Sequence, residues 1–247
     1  MAENRKYKYE RIIEDHQIIM KNNDDNNVEN HDYYAKRAIL TTKNKTVDDI
    51  NCNLLKKHPG EERVFTSVDS VNDDEATLAP VEFLNTLEIS GLPPHKLVLK
   101  VNSPIMLMRN LNLNRGHCNG TRYIIISLTD RLIHARKLTG GQDAEVFIPR
   151  IPLYCKSGDF PWNFKRLQFP VRLAFAMTIN KSQGQSLDRC GILLPFSVFS
   201  HGQLYVGLSR NGEPKNLRAW VDQHDFNHMG SSKVYAKNVV YREVLED

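Results

Sequence analysis

Two short polar segments hold the residues whose types and spacing could do chemistry. They lie within residues 172–210, RLAFAMTINKSQGQSLDRCGILLPFSVFSHGQLYVGLSR. The first, AFAMTINKSQGQSL, predicts a helix from Ala174 to about Gln183, stopped by Gly184. On such a helix Thr178 and Lys181 share a face, pairing a hydroxyl with an ammonium as suits phosphate contact. Gln183, Gly184 and Gln185 offer amides and backbone room for a terminal phosphate or its water. The second segment, SHGQLYVGLSR, predicts a helix capped by Ser200 and anchored in the core by Leu204 and Leu208. At 100° per residue, Gln203, Gly207 and Arg210 fall within about 60° of one another. An arginine at the end of an anchored helix can reach a neighbouring nucleotide, where its permanently charged planar fork stabilises charge on a transferred phosphoryl group. An arginine paired with a helix C-terminus or a surface carboxylate has the same composition.

The elements that must position these groups can be read outward from there. The apolar run Ile192 to Leu194 predicts a strand between the two segments. RAILT, Arg37 to Thr41, predicts a short buried strand, followed by a helix capped at Thr46 with Asp48 and Asp49 in its first turn. Val47, Ile50 and Leu54 line one face of that helix. Strand, polar turn and helix make an α/β unit, and ligands often bind at such turns. Thr41, Thr42 and Asn44 in the turn either touch a phosphate or cap it. Upstream, residues 7–20 predict an amphipathic helix and residues 21–30 an exposed loop. Val64 to Val71 alternates as a strand does, the acidic run at Asp73, Asp74 and Glu75 reads as a solvated loop, and a short helix is expected from Pro80 as first helical residue to Glu88.

From Gly91 the pattern changes to short apolar runs separated by turn signals at Asn119-Gly120, Thr129-Asp130 and Gly140-Gly141. This predicts a small antiparallel barrel. Its strands carry Arg122, Arg131, Arg136, Lys137 and Arg150, expected on the solvent face and able to track a nucleic acid. Phe160, Trp162, Phe164 and Phe169 interleave with Lys165 and Arg166, either to stack bases or to seal the barrel against a larger lobe.

The net charge of +4 hides a division. Residues 1–95 carry 12 Lys and Arg against 18 Asp and Glu, and residues 96–247 carry 21 against 11. A basic rear portion fits a polyanion or a solvated face equally. The 4 cysteines are far apart with no CxxC pair, as in reduced intracellular proteins. No apolar run is long enough to span a membrane, and the first residues lack the apolar stretch of a secretory signal. His224 and His228 have helical metal-ligand spacing, but two ligands make no metal site.

Taken in order, RAILTTKNKTVDDIN, GLPPHKLVLKVNSPIMLMRNL, CNGTR, FIPRIPL, QFPVRLAFAMTINKSQGQSL and FSHGQLYVGLSR closely resemble the C-terminal half of Pif-type (petite integration frequency) DNA helicases, most of all the plant- and Helitron-associated branch. The resemblance covers about residues 35 to 225. It implies an α/β fold: a RecA-like second motor lobe of P-loop NTPase type, interrupted by a small SH3-like barrel. The implied domains are an N-terminal helix and loop at 1–34, lobe at 35–95, barrel at 96–170, lobe again at 171–225 and a tail at 226–247. It further implies that Arg210 is an arginine finger, with Gln183 and Gln203 beside it in the catalytic set. ATP contacts fall to Gln183, Gly184, Arg210 and Arg37, and single-stranded DNA contacts to Thr178, Lys181, Thr41 and Asn44. The family uses ATP and Mg²⁺, moves 5′ to 3′ and serves telomere maintenance, DNA repair and recombination, which gives an intracellular, nuclear rather than mitochondrial expectation.

Two departures follow. The family commonly has alanine where this chain has Gly207, and an interior glycine costs a helix roughly 1 kcal/mol. These residues also contain no GxxxxGK[ST] and no Gly-Lys pair, so the phosphate loop and magnesium ligand of a first lobe are expected from elsewhere. The expectation is a helicase fragment that is not an ATPase by itself. The alternatives are a hydrolysis-deficient module that binds single-stranded DNA, or an interaction scaffold.

Overall fold

The computed structural model describes residues 31–71, 80–139, 144–155, 163–222 and 236–241. The expected helix at 7–20, the loop at 21–30, the acidic run at 73–75, Phe160, Trp162, His224 and His228 lie outside these. The elements in chain order are α1 (His31–Ala35), β1 (Arg37–Thr41), α2 (Asn44–Lys57), β2 (Arg63–Thr66), β3 (Val68–Val71), α3 (Val81–Thr86), β4 (Lys96–Leu99) and β5 (Pro104–Leu107). There follow β6 (Arg122–Leu128), β7 (Leu132–Lys137), β8 (Glu145–Pro149), β9 (Ile151–Cys155), β10 (Phe164–Gln168) and β11 (Val171–Leu173). The last are β12 (Ala176–Thr178), a 3₁₀ turn (Ile179–Ser182), β13 (Arg189–Leu194), α4 (Gln203–Leu208), a 3₁₀ turn (Pro214–Asn216) and β14 (Leu217–Val221). Among the described residues no helix is long and apolar enough to cross a membrane.

The chain forms two compact units, one of Met1–Leu54 with Phe175–Asp247, the other of Leu55–Ala174. The strands β2 and β3 belong to the second unit.

The first unit is built on a parallel sheet in the order β12-β1-β13-β14. Its central strands β1 and β13 are buried on both faces, which is why Ala38 to Leu40 and Ile192 to Leu194 are uninterrupted apolar runs, while the edge strand β14 is partly exposed. Val47, Ile50 and Leu54 of α2 are buried, as their spacing predicts. The helix itself begins at Asn44, so Thr46 lies within it as a buried residue and does not cap it, and Asp48 and Asp49 fall beyond the first turn. The edge strand β12 is closed by a side chain: Asn51 Nδ2 donates to the Ala176 carbonyl at 3.1 Å, and its Oδ1 accepts from the Ala176 N–H at 2.8 Å. One buried amide thereby replaces a missing neighbouring strand.

The expected helix from Ala174 to Gln183 is absent. Ala176 to Thr178 pairs with β1, and only Ile179–Ser182 turns, in 3₁₀ form. A largely apolar run such as AFAMTI fits a buried strand or a buried helix, and periodicity alone does not separate them. Gly184 does end the segment, at φ +80°. Ser200 is likewise not the cap of α4. Gly202, at φ +68°, holds that position. The buried side of α4 is Gln203 and Gly207, and Leu208 is exposed.

In the second unit an antiparallel sheet, β11-β5-β6-β7-β8, and the ribbon β2-β4 share one core. Phe65, Leu97, Leu99, Tyr123, Ile133 and Phe169 are among its buried members. A smaller cluster of Leu84, Leu92, Leu153 and Phe164 lies between α3 and the sheet β3-β10-β9. The run Val64 to Val71 is thus two strands in different sheets, broken at Ser67, whose N–H donates to the His95 carbonyl at 2.9 Å. Pro80 stands one residue before α3.

Of the two cations interleaved with the aromatics, Arg166 is internal. Arg166, fully buried, donates to both carboxylate oxygens of Asp69 at 2.9 and 2.7 Å and to the carbonyls of Pro93, Leu84 and Leu87 at 3.0, 3.4 and 3.3 Å. Four of the five basic residues expected on the solvent face are also engaged. Arg122 is buried, donates to the Ala174 carbonyl at 3.0 Å, and is pulled down to about 10 by burial. Arg136 pairs with Glu145 at 2.7 Å, Lys137 donates to the Arg115 carbonyl at 2.7 Å, and Arg150 donates to the Thr66 carbonyl at 2.7 Å. Arg131 is exposed.

Candidate nucleotide and nucleic-acid edges of the parallel sheet

The parallel sheet sorts the sequence-predicted residues onto its two edges. At the edge where strands begin, Arg37 opens β1 and stands beside Arg189, which opens β13. Arg37 lies over the Tyr33 ring, 4.0 Å from its centroid. Arg210 reaches the same edge because α4 runs back along the sheet, packing Gly207 against Ile179 and Ile192. The Leu187 N–H donates to the Arg210 carbonyl at 2.9 Å, two residues before Arg189.

The Arg210 guanidinium is half-buried and held by three bonds: Nε to the Val206 carbonyl at 2.8 Å, Nη1 to the Gln185 carbonyl at 3.1 Å, and Nη2 to Ser209 Oγ at 2.9 Å. A guanidinium has five N–H groups, so one remains on each terminal nitrogen after these bonds. The group is fixed in direction and still able to donate. Its charge acts on buried Cys190 beneath it, but burial dominates there and pushes the thiol up to about 12.

At the edge where strands end, Thr41 and Thr178 are direct neighbours across the β1–β12 ladder. Asn44 opens α2 there and is exposed, and Lys181 follows Thr178 in the 3₁₀ turn. Thr41 and Thr42 are 0% and 3% exposed, and neither hydroxyl has a hydrogen-bond partner among the described residues. Buried hydroxyls without partners are uncommon and costly. Lys43, in the same turn, lies over Phe196, its ammonium 3.8 Å from the ring centroid. The two edges are separated by the strand: Arg37 and Thr41 are four residues apart, roughly 13 Å.

Gln183 and Gly184 are exposed in the return between Ser182 and β13, close in sequence to Gln185, whose carbonyl holds Arg210. Gln203 behaves differently from its expected role. It is buried, its Nε2 donates to Asn180 Oδ1 at 3.0 Å, and its Oε1 accepts from the Phe199 N–H at 3.1 Å. Both ends of its amide are engaged in fixing α4 to the 3₁₀ turn, so it positions that helix.

Sequence reasoning missed Asn180, Asn211 and Arg189. Asn211 Nδ2 donates to the carbonyls of Leu187 and Asp188 at 2.9 and 2.7 Å, bracing the segment that carries Gln185. The only sequence signal for these was their polarity next to the motif residues. Among the described residues no group of three or more His, Cys, Asp or Glu could hold a metal ion.

Residues 82–128 match the family described as DNA helicase Pif1, 2B domain. The chain is 32% identical over 191 residues to the ATP-dependent DNA helicase PIF1 of Danio rerio, covering 72% of this chain and 26% of that protein. It is 32% identical over 177 residues to the human protein of the same name, covering 69% and 25%. Among solved structures it is similar to a Bacteroides Pif1 bound to single-stranded DNA, with TM-score 0.55 and 25% identity over 74% of this chain and 40% of that one. A Candida albicans Pif1 helicase shares the fold, with TM-score 0.56 and 22% identity over 85% and 53%.

Residues 82–128 thus match a Pif1 2B domain, and the chain as a whole is similar to part of Pif1 helicases, spanning about a quarter of the length of these curated relatives. The parallel sheet and the antiparallel sheets correspond to a RecA-like lobe and a 2B barrel. The curated relatives do not identify the plant- and Helitron-associated branch.

Proposed function

We propose that this chain forms the second motor lobe and barrel of an ATP-dependent 5′-to-3′ DNA helicase, and that the two edges of its parallel sheet divide the work. The strand-start edge, with Arg210, Arg37, Gln183 and Gly184, faces nucleotide bound on a partner lobe. The strand-end edge, with Thr41, Asn44, Thr178 and Lys181, follows single-stranded DNA. The observation that carries this reading is the state of Arg210, which is fixed by three bonds and keeps an N–H on each terminal nitrogen.

ATP with Mg²⁺ supplies the phosphoryl group whose transfer drives the motor. The cationic character of the edge fits phosphate oxygens. Arg210 there holds charge at a fixed place, and the carbonyls of Val206 and Gln185 orient it. Gln203 and Asn180 keep α4 in register beneath it. The phosphate loop and the metal ligands come from the partner lobe, whether in the same polypeptide or another. The wider assignment is to telomere maintenance, repair and recombination in the nucleus, in the plant- and Helitron-associated branch, and it rests on the motif wording.

The test is ATP hydrolysis by these residues alone and when joined to the phosphate-loop lobe of a Pif1 helicase. The lone chain is expected to be inactive and the joined protein active. Arg210→Ala in the joined protein is expected to lower turnover by about 10³-fold or more. Turnover by the lone chain that Arg210→Ala removes would defeat the proposal. A second reading, a binding module without hydrolysis, is favoured by the orphan hydroxyls of Thr41 and Thr42 and predicts salt-sensitive DNA binding with no turnover in either form.

A further inference from the structure

The barrel carries an aromatic surface site that the motor edges do not use. Phe147 stands on β8, an edge strand of the five-stranded sheet, and is 62% exposed. Its cross-strand partner is His134 on β7, and the two rings stack with centroids 4.5 Å apart and planes within 15°. His134 Nε2 lies 2.9 Å from Glu145 Oε2, and Arg136 donates to Glu145 Oε1 through Nε at 3.2 Å and Nη2 at 2.7 Å. The Phe147 ring is thus backed by a second ring whose plane is braced by an ion pair.

A large exposed aromatic on an edge strand is a liability for a barrel, since it invites association. Stacking on His134 stabilises the pair of strands but does not require the far face of Phe147 to be open. The surroundings say what that face suits. Residues 96–155 hold nine Lys and Arg against three Asp and Glu; Lys100 and Arg122 are buried and Arg136 is paired with Glu145, and the remaining cations still leave a positive excess that favours polyanions. A rigid aromatic face on a basic barrel is the combination that accepts a base of a single strand while cations follow its phosphates.

We infer that Phe147, backed by His134, is a stacking platform for one base of single-stranded DNA on the barrel. The inference extends the proposed DNA partner to the barrel and rests on that reading. The site is insensitive to base identity, because every base offers a flat face. It is a contact to a base face, distinct from the backbone contacts proposed for the parallel sheet.

The experiment measures binding of the 247-residue chain to an oligothymidine of about 20 nucleotides and to an abasic strand of equal length, by fluorescence anisotropy. Phe147→Ala is expected to weaken oligothymidine binding about ten-fold and to leave abasic binding unchanged, and Phe147→Trp to retain wild-type affinity. Equal affinity of wild type and Phe147→Ala for oligothymidine overturns the inference. So does an equal loss on the abasic strand, which would mean that Phe147 supports the barrel and touches no base. Wild-type binding that is strong but indifferent to Phe147 removes only this site. No binding by wild type removes this inference together with the DNA role proposed above.

Discussion

Arg166 of the barrel unit and Arg210 of the parallel-sheet unit are the same side chain put to opposite uses. Arg166 is fully buried and makes five bonds, to both carboxylate oxygens of Asp69 and to three carbonyls. Arg210 is held just as firmly from one side but is half-exposed and keeps donors. Burial, and what each donor meets, separates an arginine that holds a fold from one that can act on a ligand. The same criteria separate Gln203, whose amide is engaged at both ends, from exposed Gln183.

The comparison can be broken by substitution, and the largest effect belongs to the buried arginine. Arg166→Ala leaves the Asp69 carboxylate buried without its cation, and a loss of about 3–5 kcal/mol is expected in urea unfolding. A loss below about 1 kcal/mol would mean that the network is solvated and carries no structural weight. Next comes Asn51→Ala in the parallel-sheet unit. It orphans both the N–H and the carbonyl of Ala176, and a loss of about 2 kcal/mol is expected by the same measurement. An unchanged midpoint would show that water replaces the amide at that sheet edge.

Gly207→Ala should act in the other direction. An added Cβ meets Ile179 Cδ1 and Ile192 Cδ1 at 3.5 Å, ordinary contact, so the helix gains about 0.5–1 kcal/mol without a clash. A destabilised variant would show that α4 needs the closer approach.

The smallest effect concerns Cys190 under Arg210. Its folded value near 12 lies above an ordinary value of 9.0, so its contribution to stability is complete below about pH 9 and is lost as pH rises toward 12. In a thiol-reagent titration at pH 8, exposed Cys52 should react fast and Cys190 only on unfolding. Rapid reaction of Cys190 in the folded protein would show that this edge opens.

The sequence made much of this legible, and the gaps have physical causes. Strand β1 and the buried face of α2 were readable because their periodicities are local. The turn at Asn119-Gly120 was readable because Gly120 sits at φ +90°. Strand β12 was misread as helix because its pairing partner, β1, lies far back in the sequence. The role of Arg166 stayed open between stacking and sealing because Asp69, its partner, is 97 residues away. Gln203 looked catalytic because Asn180, which takes its amide, is 23 residues away. Candidate site residues were found by type and spacing, whereas their sorting onto two sheet edges came only with the register of β1, β12 and β13.

The central claim is that the two edges are separate. Its most direct test is a paired measurement on the chain joined to a phosphate-loop lobe: affinity for single-stranded DNA, and turnover at saturating DNA, for Arg210→Ala and Lys181→Ala. The account predicts that Arg210→Ala removes turnover by about 10³-fold and leaves DNA affinity within about two-fold, while Lys181→Ala weakens DNA binding and leaves saturated turnover near wild type. Loss of DNA affinity in Arg210→Ala, or full turnover without that arginine, would contradict it.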